Sequence, residues 1–195
     1  MSFIQVWFTG YYNPVKMIEA LRSKPSPQWG FYGQLLRASF DALLLYLPLA
    51  LLGRVPPTPS NLYFLPTDKY YWHLIWLTPL VLGAEWLLAS AFTHLVIRLT
   101  RRRSDFDQVL NISGMVNLVV GAFLLLWDWA IMAIGGADQY LLGYSHLFVS
   151  LWGVVIGTIG LKRLLDVPTW LGCALSFLAM AIALPFAIMF MRSPI

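Results

Sequence analysis

The sequence predicts an all-α membrane protein: a polytopic bundle of five transmembrane helices preceded by a short N-terminal amphipathic interfacial helix. Three observations carry this expectation. Of the 195 residues, 59% are hydrophobic and only 11% charged, with a mean hydropathy of +0.69. Soluble domains carry roughly 25% charged residues, so such a chain lacks the polar side chains to cover a water-facing surface. The apolar residues also stand in unbroken blocks near the ~20 residues that cross a hydrocarbon core of about 30 Å. Finally, the cations gather between alternate blocks.

The blocks are Leu35–Leu52, Trp72–Arg98, Val109–Ile134, Leu142–Leu161 and Thr169–Met191. The chain therefore divides into a segment over 1–34 and a five-span bundle over 35–195. A bilayer offers backbone groups no water, so each span must be helical. Pro48, Pro79 and Pro185 fall inside spans, where each frees a carbonyl and can kink its helix.

Lysine and arginine set the expected orientation. Lys16, Arg22, Lys24 and Arg37 precede or open span one, Arg98 and Arg101–Arg103 join spans two and three, and Lys162 and Arg163 join spans four and five. Those ten face Arg54, Lys69 and Arg192 on the other side. The positive-inside rule then puts the N-terminus and the Arg-rich loop in the cytoplasm and the C-terminus outside. The first ten residues lack a charged n-region and a continuous apolar core, so no cleavable signal is expected.

Ahead of span one, YYNPVKMIEALRSKPSPQW offers Asn13 as a helix cap and Pro14 at the first helical position. Val15, Ile18 and Leu21 share one face, while Lys16 and Arg22 lie elsewhere, and Pro25 and Pro27 end the helix. Such a helix can lie in the interface with its cations near anionic lipid; a flexible basic leader is the alternative. Lys16, Arg22, Arg101, Arg102 and Arg103 are the candidate headgroup contacts. In the opposite connection, RVPPTPSNLYFLPTDKYY, prolines favour an extended segment. Tyr63, Phe64, Tyr70, Tyr71 and Trp72, with Trp127, Trp129 and Tyr140, suit an aromatic belt at that interface.

The order of these features resembles the Yip1-domain family of integral membrane proteins, prokaryotic type. YYNPVKMIEALRSKPS is similar to the family's opening, an aromatic and Asn/Asp-Pro before a short amphipathic helix. RRRSDFDQVLNISGMVNLVVGAFLLL resembles its loop into span three. LWGVVIGTIGLKRLLDVPTWLGCALSFLAM resembles its tryptophan-led span four, turn and Ala-rich span five. The long N-terminal region of eukaryotic members, with Asp-Leu-Tyr-Gly-Pro, has no counterpart here, and Arg103 and Ser104 replace a family Gly-Gly. The resemblance therefore implies a five-span membrane protein and does not extend to the GTPase interactions of vesicle traffic.

Glu85 falls at the middle of span two, the most expensive depth for a charge at about 2.5–3.5 kcal/mol, and so calls for a partner, a proton or water. It shares a helical stripe with Thr78, Ala89 and Thr93 that is expected to face the bundle. A neutral Glu bonded to another helix is the preferred reading, a proton or cation site the other. Asn111 and Asn117 are expected to bond across helices. Asp128 is expected at the interface, solvated, and Asp41 in an i,i+4 pair with Arg37 near the cytoplasmic boundary. Small-residue stripes on span three (Ser113, Asn117, Gly121), span four (Gly153, Gly157, Gly160) and span five (Gly172, Ser176, Ala179, Ala183) suit close helix packing, within the chain in preference to between copies.

Catalytic templates are not met. A lone Cys173 makes neither a disulfide nor a thiolate metal site, His73, His94 and His146 sit on separate segments, and HExxH, GxSxG and phosphate-cradling glycine loops do not occur. The formal charge of +4 marks helix ends and not a nucleic-acid surface. The expected function is a non-catalytic scaffold or accessory subunit without cofactors, whose partners are lipids, other membrane proteins or a second copy. A small transporter or channel using Glu85 as its coupling group is the alternative.

Overall fold

The computed structural model describes residues 1–24, 26–57, 59–62, 64–134 and 139–190, without the side chains of 139 and 140. Pro25, Tyr63, the Tyr140 ring, Met191 and Arg192, all used in the sequence reading, lie outside the described residues. Among the described residues all regular structure is helical, in seven helices, five of them long and apolar enough to cross a membrane. Two short helices come first, α1 (Phe3–Tyr12) and α2 (Pro14–Leu21). The spans follow as Gln28–Leu51, Thr67–Leu99, Phe106–Ile134, Leu141–Leu165 and Thr169–Phe190.

Span one begins seven residues before Leu35, so the boundary drawn at residue 34 falls inside a continuous helix. Gly30, Gln34 and Arg37 dilute the apolar signal there, yet each is spent on a neighbouring helix. Gly30 and Gly33 lie against the backbone of span three. A Cβ on Gly30 would collide with the Leu110 carbonyl, one on Gly33 would lie 2.7 Å from the Gly114 oxygen, and one on Gly114 would lie 2.6 Å from Gly30 Cα. Spans one and three run parallel in this contact, which small residues alone permit.

Pro48 leaves its mark four residues upstream. Over Asp41–Tyr46 the helix widens to a π turn, and the Leu44 carbonyl, which Pro48 cannot serve, accepts from Trp129 Nε1 at 2.9 Å. A neighbouring span thus supplies the donor that the bilayer cannot.

The core falls into two apolar clusters at opposite ends of the bundle. At the Arg-rich end, Val6, Met17, Ile18 and Leu21 pack with Ile97, Ile112, Met115, Val119, Ile156 and Leu161. At the proline-rich end, Leu45, Tyr46 and Leu49 pack with Tyr70, Tyr71, Leu74 and Leu125. Tyr70 and Tyr71 are fully buried, Tyr71 stacking on Tyr46 and the Tyr70 hydroxyl donating to the Phe190 carbonyl at 2.6 Å. They are core residues and not belt residues; Phe64 and Trp72 stay exposed.

The N-terminal segment departs most from expectation. Asn13 caps α2 through Lys16 N, and Pro14 opens it, as the sequence suggested. Its apolar side chains do not meet lipid: Met17, Ile18 and Leu21 have no exposed surface and pack on spans three and four. A further helix, α1, precedes it behind a Ser2–Gln5 capping box.

The closest contact suggests a paired test. Gly114→Ala should lower the melting temperature of the detergent-solubilised protein, because overpacking costs about 1–3 kcal/mol. Gly83→Ala, where a Cβ would meet nothing within 4 Å, should not. Equal loss in both, read by thermal unfolding, would refute the close approach of spans one and three.

Candidate functional site

Polar and charged side chains run through the interior of the bundle, with Arg37 standing between the two apolar clusters. Arg37 is the tenth residue of the 24-residue span one, close to its middle. Its guanidinium pairs with Asp41 one turn on, and Asp41 is itself buried. The helix pairing was expected, at the boundary; the structure puts it inside the span. Gly121 of span three makes the room, since a Cβ there would coincide with Arg37 Nε and Cδ. Glu85, Asp128 and Tyr46 all stand within electrostatic reach of Arg37.

Glu85 is half-buried near the middle of span two, and Thr78, Ala89 and Thr93 of its stripe are buried. The carboxylate makes no hydrogen bond to another described residue, and Arg37 is the cation whose field it feels. The interhelical hydrogen bond expected for Glu85 is not formed among the described residues.

Asp128 is buried, and its carboxylate meets His146 Nε2 of span four at 2.5 Å. Asp128 is thus buried and paired, and not solvated as expected. Asp128 stands seven residues before Gly135 and His146 eight after Asp138, so helices joined across 135–138 bring the two to one depth. Trp127 Nε1 donates to Ser145 Oγ at 2.9 Å by the same symmetry.

Other polar groups continue toward the Arg-rich end. Gln34 Nε2 donates to the Leu82 carbonyl at 2.8 Å, and Gln34 Oε1 accepts from Asn117 Nδ2 at 3.0 Å. Ser90 and Ser113 share a hydrogen bond of 2.7 Å. Asn111, fully buried, accepts from Gly30 N at 2.8 Å and donates to the Lys24 and Ser26 carbonyls. A polar seam thus follows span three through Asn111, Ser113, Asn117, the Gly121 notch and Asp128.

The remaining candidates lie elsewhere. Gly153 of span four faces Val120 of span three, where a Cβ would stand 3.2 Å from Cγ2, and Gly157 faces Ser176 of span five. Lys16, Arg101, Arg102 and Arg103 are exposed, and Arg22 Nη2 donates to the Arg163 carbonyl at 2.7 Å, tying the N-terminal segment to the end of span four. His94 bonds Ser104, away from His146. Among the described residues, no three His, Cys, Asp or Glu side chains converge as a metal site would require.

A buried charge whose partner is removed is destabilising by about 3–5 kcal/mol, whereas replacing both partners with apolar residues is often close to neutral. Arg37→Leu should therefore lower stability steeply in detergent unfolding, and Arg37→Leu with Asp41→Leu should recover part of the loss. A double variant no better than the single one would show that Arg37 serves Glu85 and Asp128 more than Asp41.

No family model, no curated protein and no solved structure matches the chain.

Proposed function

We propose that the chain is a non-catalytic integral membrane protein, a scaffold or accessory subunit of a prokaryotic cytoplasmic membrane that acts through helix–helix and lipid contacts. Its N-terminus and Arg-rich loop lie in the cytoplasm and its C-terminus outside. With Arg37 moved into span one, nine cations still oppose three, so the charge bias that supports this orientation is intact.

The observation that carries the reading is where the interior polar groups go. Arg37, Asp128, Gln34, Asn111, Asn117, Ser90 and Ser113 each meet a partner in the protein, and most of those contacts join two helices. Polar groups used this way hold spans together and do not line a path for solute. Two shallow concavities, one along α1 and one between Phe123, Trp127, Ser145 and Trp152, are lined by none of Arg37, Glu85 and Asp128.

Gentle extraction from the native membrane followed by native mass measurement and cross-linking tests this. A stable complex with another membrane protein, or a defined oligomer, is the expected result. A solitary monomer at every protein-to-detergent ratio would count against a scaffold.

Glu85 favours one second reading, a proton- or cation-coupled transporter or channel, because an intramembrane acid without a hydrogen-bond partner, near a buried Arg, resembles the ionisable groups of such pathways. On that reading Glu85→Gln abolishes proton or cation flux in reconstituted vesicles. Flux equal to that of the unaltered protein eliminates it.

A further inference from the structure

We infer that α1 and α2 form a re-entrant hairpin that enters one leaflet from the Arg101–Arg103 side, turns at Asn13–Pro14 near the bilayer midplane, and presents its outer face to the phospholipids of that leaflet. The inference goes beyond the proposed function and rests only on the five spans crossing a bilayer.

Contacts along the hairpin give its depth. The Phe3 ring packs edge-on against Trp29, at the start of span one, with centroids 5.6 Å apart. One turn on, Trp7 lies 5.8 Å from Phe40, the thirteenth residue of that 24-residue span. At the next turn Tyr11 lies 5.9 Å from Trp152, at the middle of span four. A Cβ on Gly10 would lie 2.6 Å from Val119, at the middle of span three. Three spans thus place the end of α1 half-way across. The length agrees: the ten residues of α1 rise about 15 Å, half of a ~30 Å core. The chain then returns, Met17 beside Gly10, Ile18 beside Gly160, and Arg22 on the Arg163 carbonyl at the end of span four.

A turn at that depth must satisfy its own polar groups, because non-helical backbone survives there only when partnered. Asn13 N donates to the Thr9 carbonyl at 2.8 Å, and Lys16 N and Met17 N donate to Asn13 Oδ1 and O. Pro14 has no N–H to satisfy. Thr9 Oγ1 donates to the Gln5 carbonyl at 2.7 Å, and Trp7 Nε1 donates to the Tyr11 hydroxyl at 3.2 Å. The turn thus meets several of its own polar groups locally, the Asn13 side chain capping the returning helix.

The outer face completes the argument. Ile4, Phe8 and Tyr12 recur every fourth residue and are 60%, 53% and 76% exposed. In water this is an unbroken apolar stripe; in a leaflet it is an ordinary lipid-facing surface. The shallow groove along it ends at Lys16, whose ammonium has no ion-pair partner among the described residues. Lys16 stands on the returning helix, and its four-carbon stem lets the ammonium rise from the midplane toward the side the hairpin entered. The leaflet on the Arg-rich side then accommodates seven helices and the other five, which gives the protein a wedge-shaped cross-section.

The test uses the full chain with Cys173→Ala and single cysteines at Ser2, Tyr12, Arg102 and Asn61, labelled by a membrane-impermeant maleimide in sealed vesicles of both orientations. Ser2→Cys and Arg102→Cys should label from one side and Asn61→Cys from the other. Tyr12→Cys should label from neither until detergent is added. A spin label at Phe8→Cys provides an independent measure, colliding readily with oxygen and poorly with a water-soluble nickel chelate. Labelling of Tyr12→Cys in intact vesicles, or nickel access at residue 8, would overturn the hairpin, as would labelling of Ser2→Cys from the side opposite Arg102→Cys. If Arg102→Cys and Asn61→Cys label from the same side, the five-span topology itself fails. Neither pattern depends on whether a partner protein co-purifies.

Discussion

A guanidinium near the middle of a bilayer cannot be left alone, and much of the bundle is arranged around that constraint. Arg37 pairs with Asp41 on its own helix, feels the field of Glu85 on span two and Asp128 on span three, and occupies the space vacated at Gly121. An uncompensated charge at that depth costs about 2.5–3.5 kcal/mol or more. A single interhelical hydrogen bond in a membrane contributes on average about 0.6 kcal/mol. The charged group therefore dictates which faces meet, and the Gln34, Asn117, Ser90 and Ser113 contacts adjust the fit around it.

Span three is the hub that this requirement creates. It carries Asn111, Asn117 and Asp128, the Gly114 contact and the Gly121 notch, and 67% of its most apolar stretch is buried. Its parallel contact with span one brings backbones together at Gly30 and Gly114, with Arg37 between the two apolar clusters. The π turn before Pro48 belongs to the same arrangement, since the Leu44 carbonyl released there is met by Trp129.

The five spans were legible because crossing a bilayer demands a length and composition that hydropathy reports directly. Span one lost seven residues at its start because Gly30, Gln34 and Arg37 are unapolar for reasons of packing, and a windowed hydropathy cannot tell a buried partner from an exposed one. Arg37 looks like a boundary residue in the sequence for the same reason. Asp128 and His146 could have been paired in advance, since they lie at nearly equal distances from 135–138; depth along a single helix hid the relation. Tyr70 and Tyr71 read as interface anchors because the aromatic signal is the same for a ring that meets headgroups and one that stacks on Tyr46. α1 leaves little trace in the sequence because ten residues are too short for a span and its packing partners are remote in the chain.

Apolarity and burial do not run together in this bundle. Span five is the most apolar, with a mean hydropathy of 2.3, and the least buried, at 6% of its most apolar stretch. In water such a helix would be driven to the centre; in lipid it gains nothing by leaving the acyl chains, so apolarity no longer selects the interior. What selects it is the need to partner polar groups, and these are concentrated on spans one, two and three. Spans four and five attach to that core through His146 and Gly153 of span four, through Ile156, Leu161, Leu171 and Leu175 in the Arg-rich cluster, and through the Tyr70 hydroxyl on the Phe190 carbonyl. The polar residues that look least suited to a membrane are therefore the ones that organise this bundle, and the apolar majority sets only where it sits.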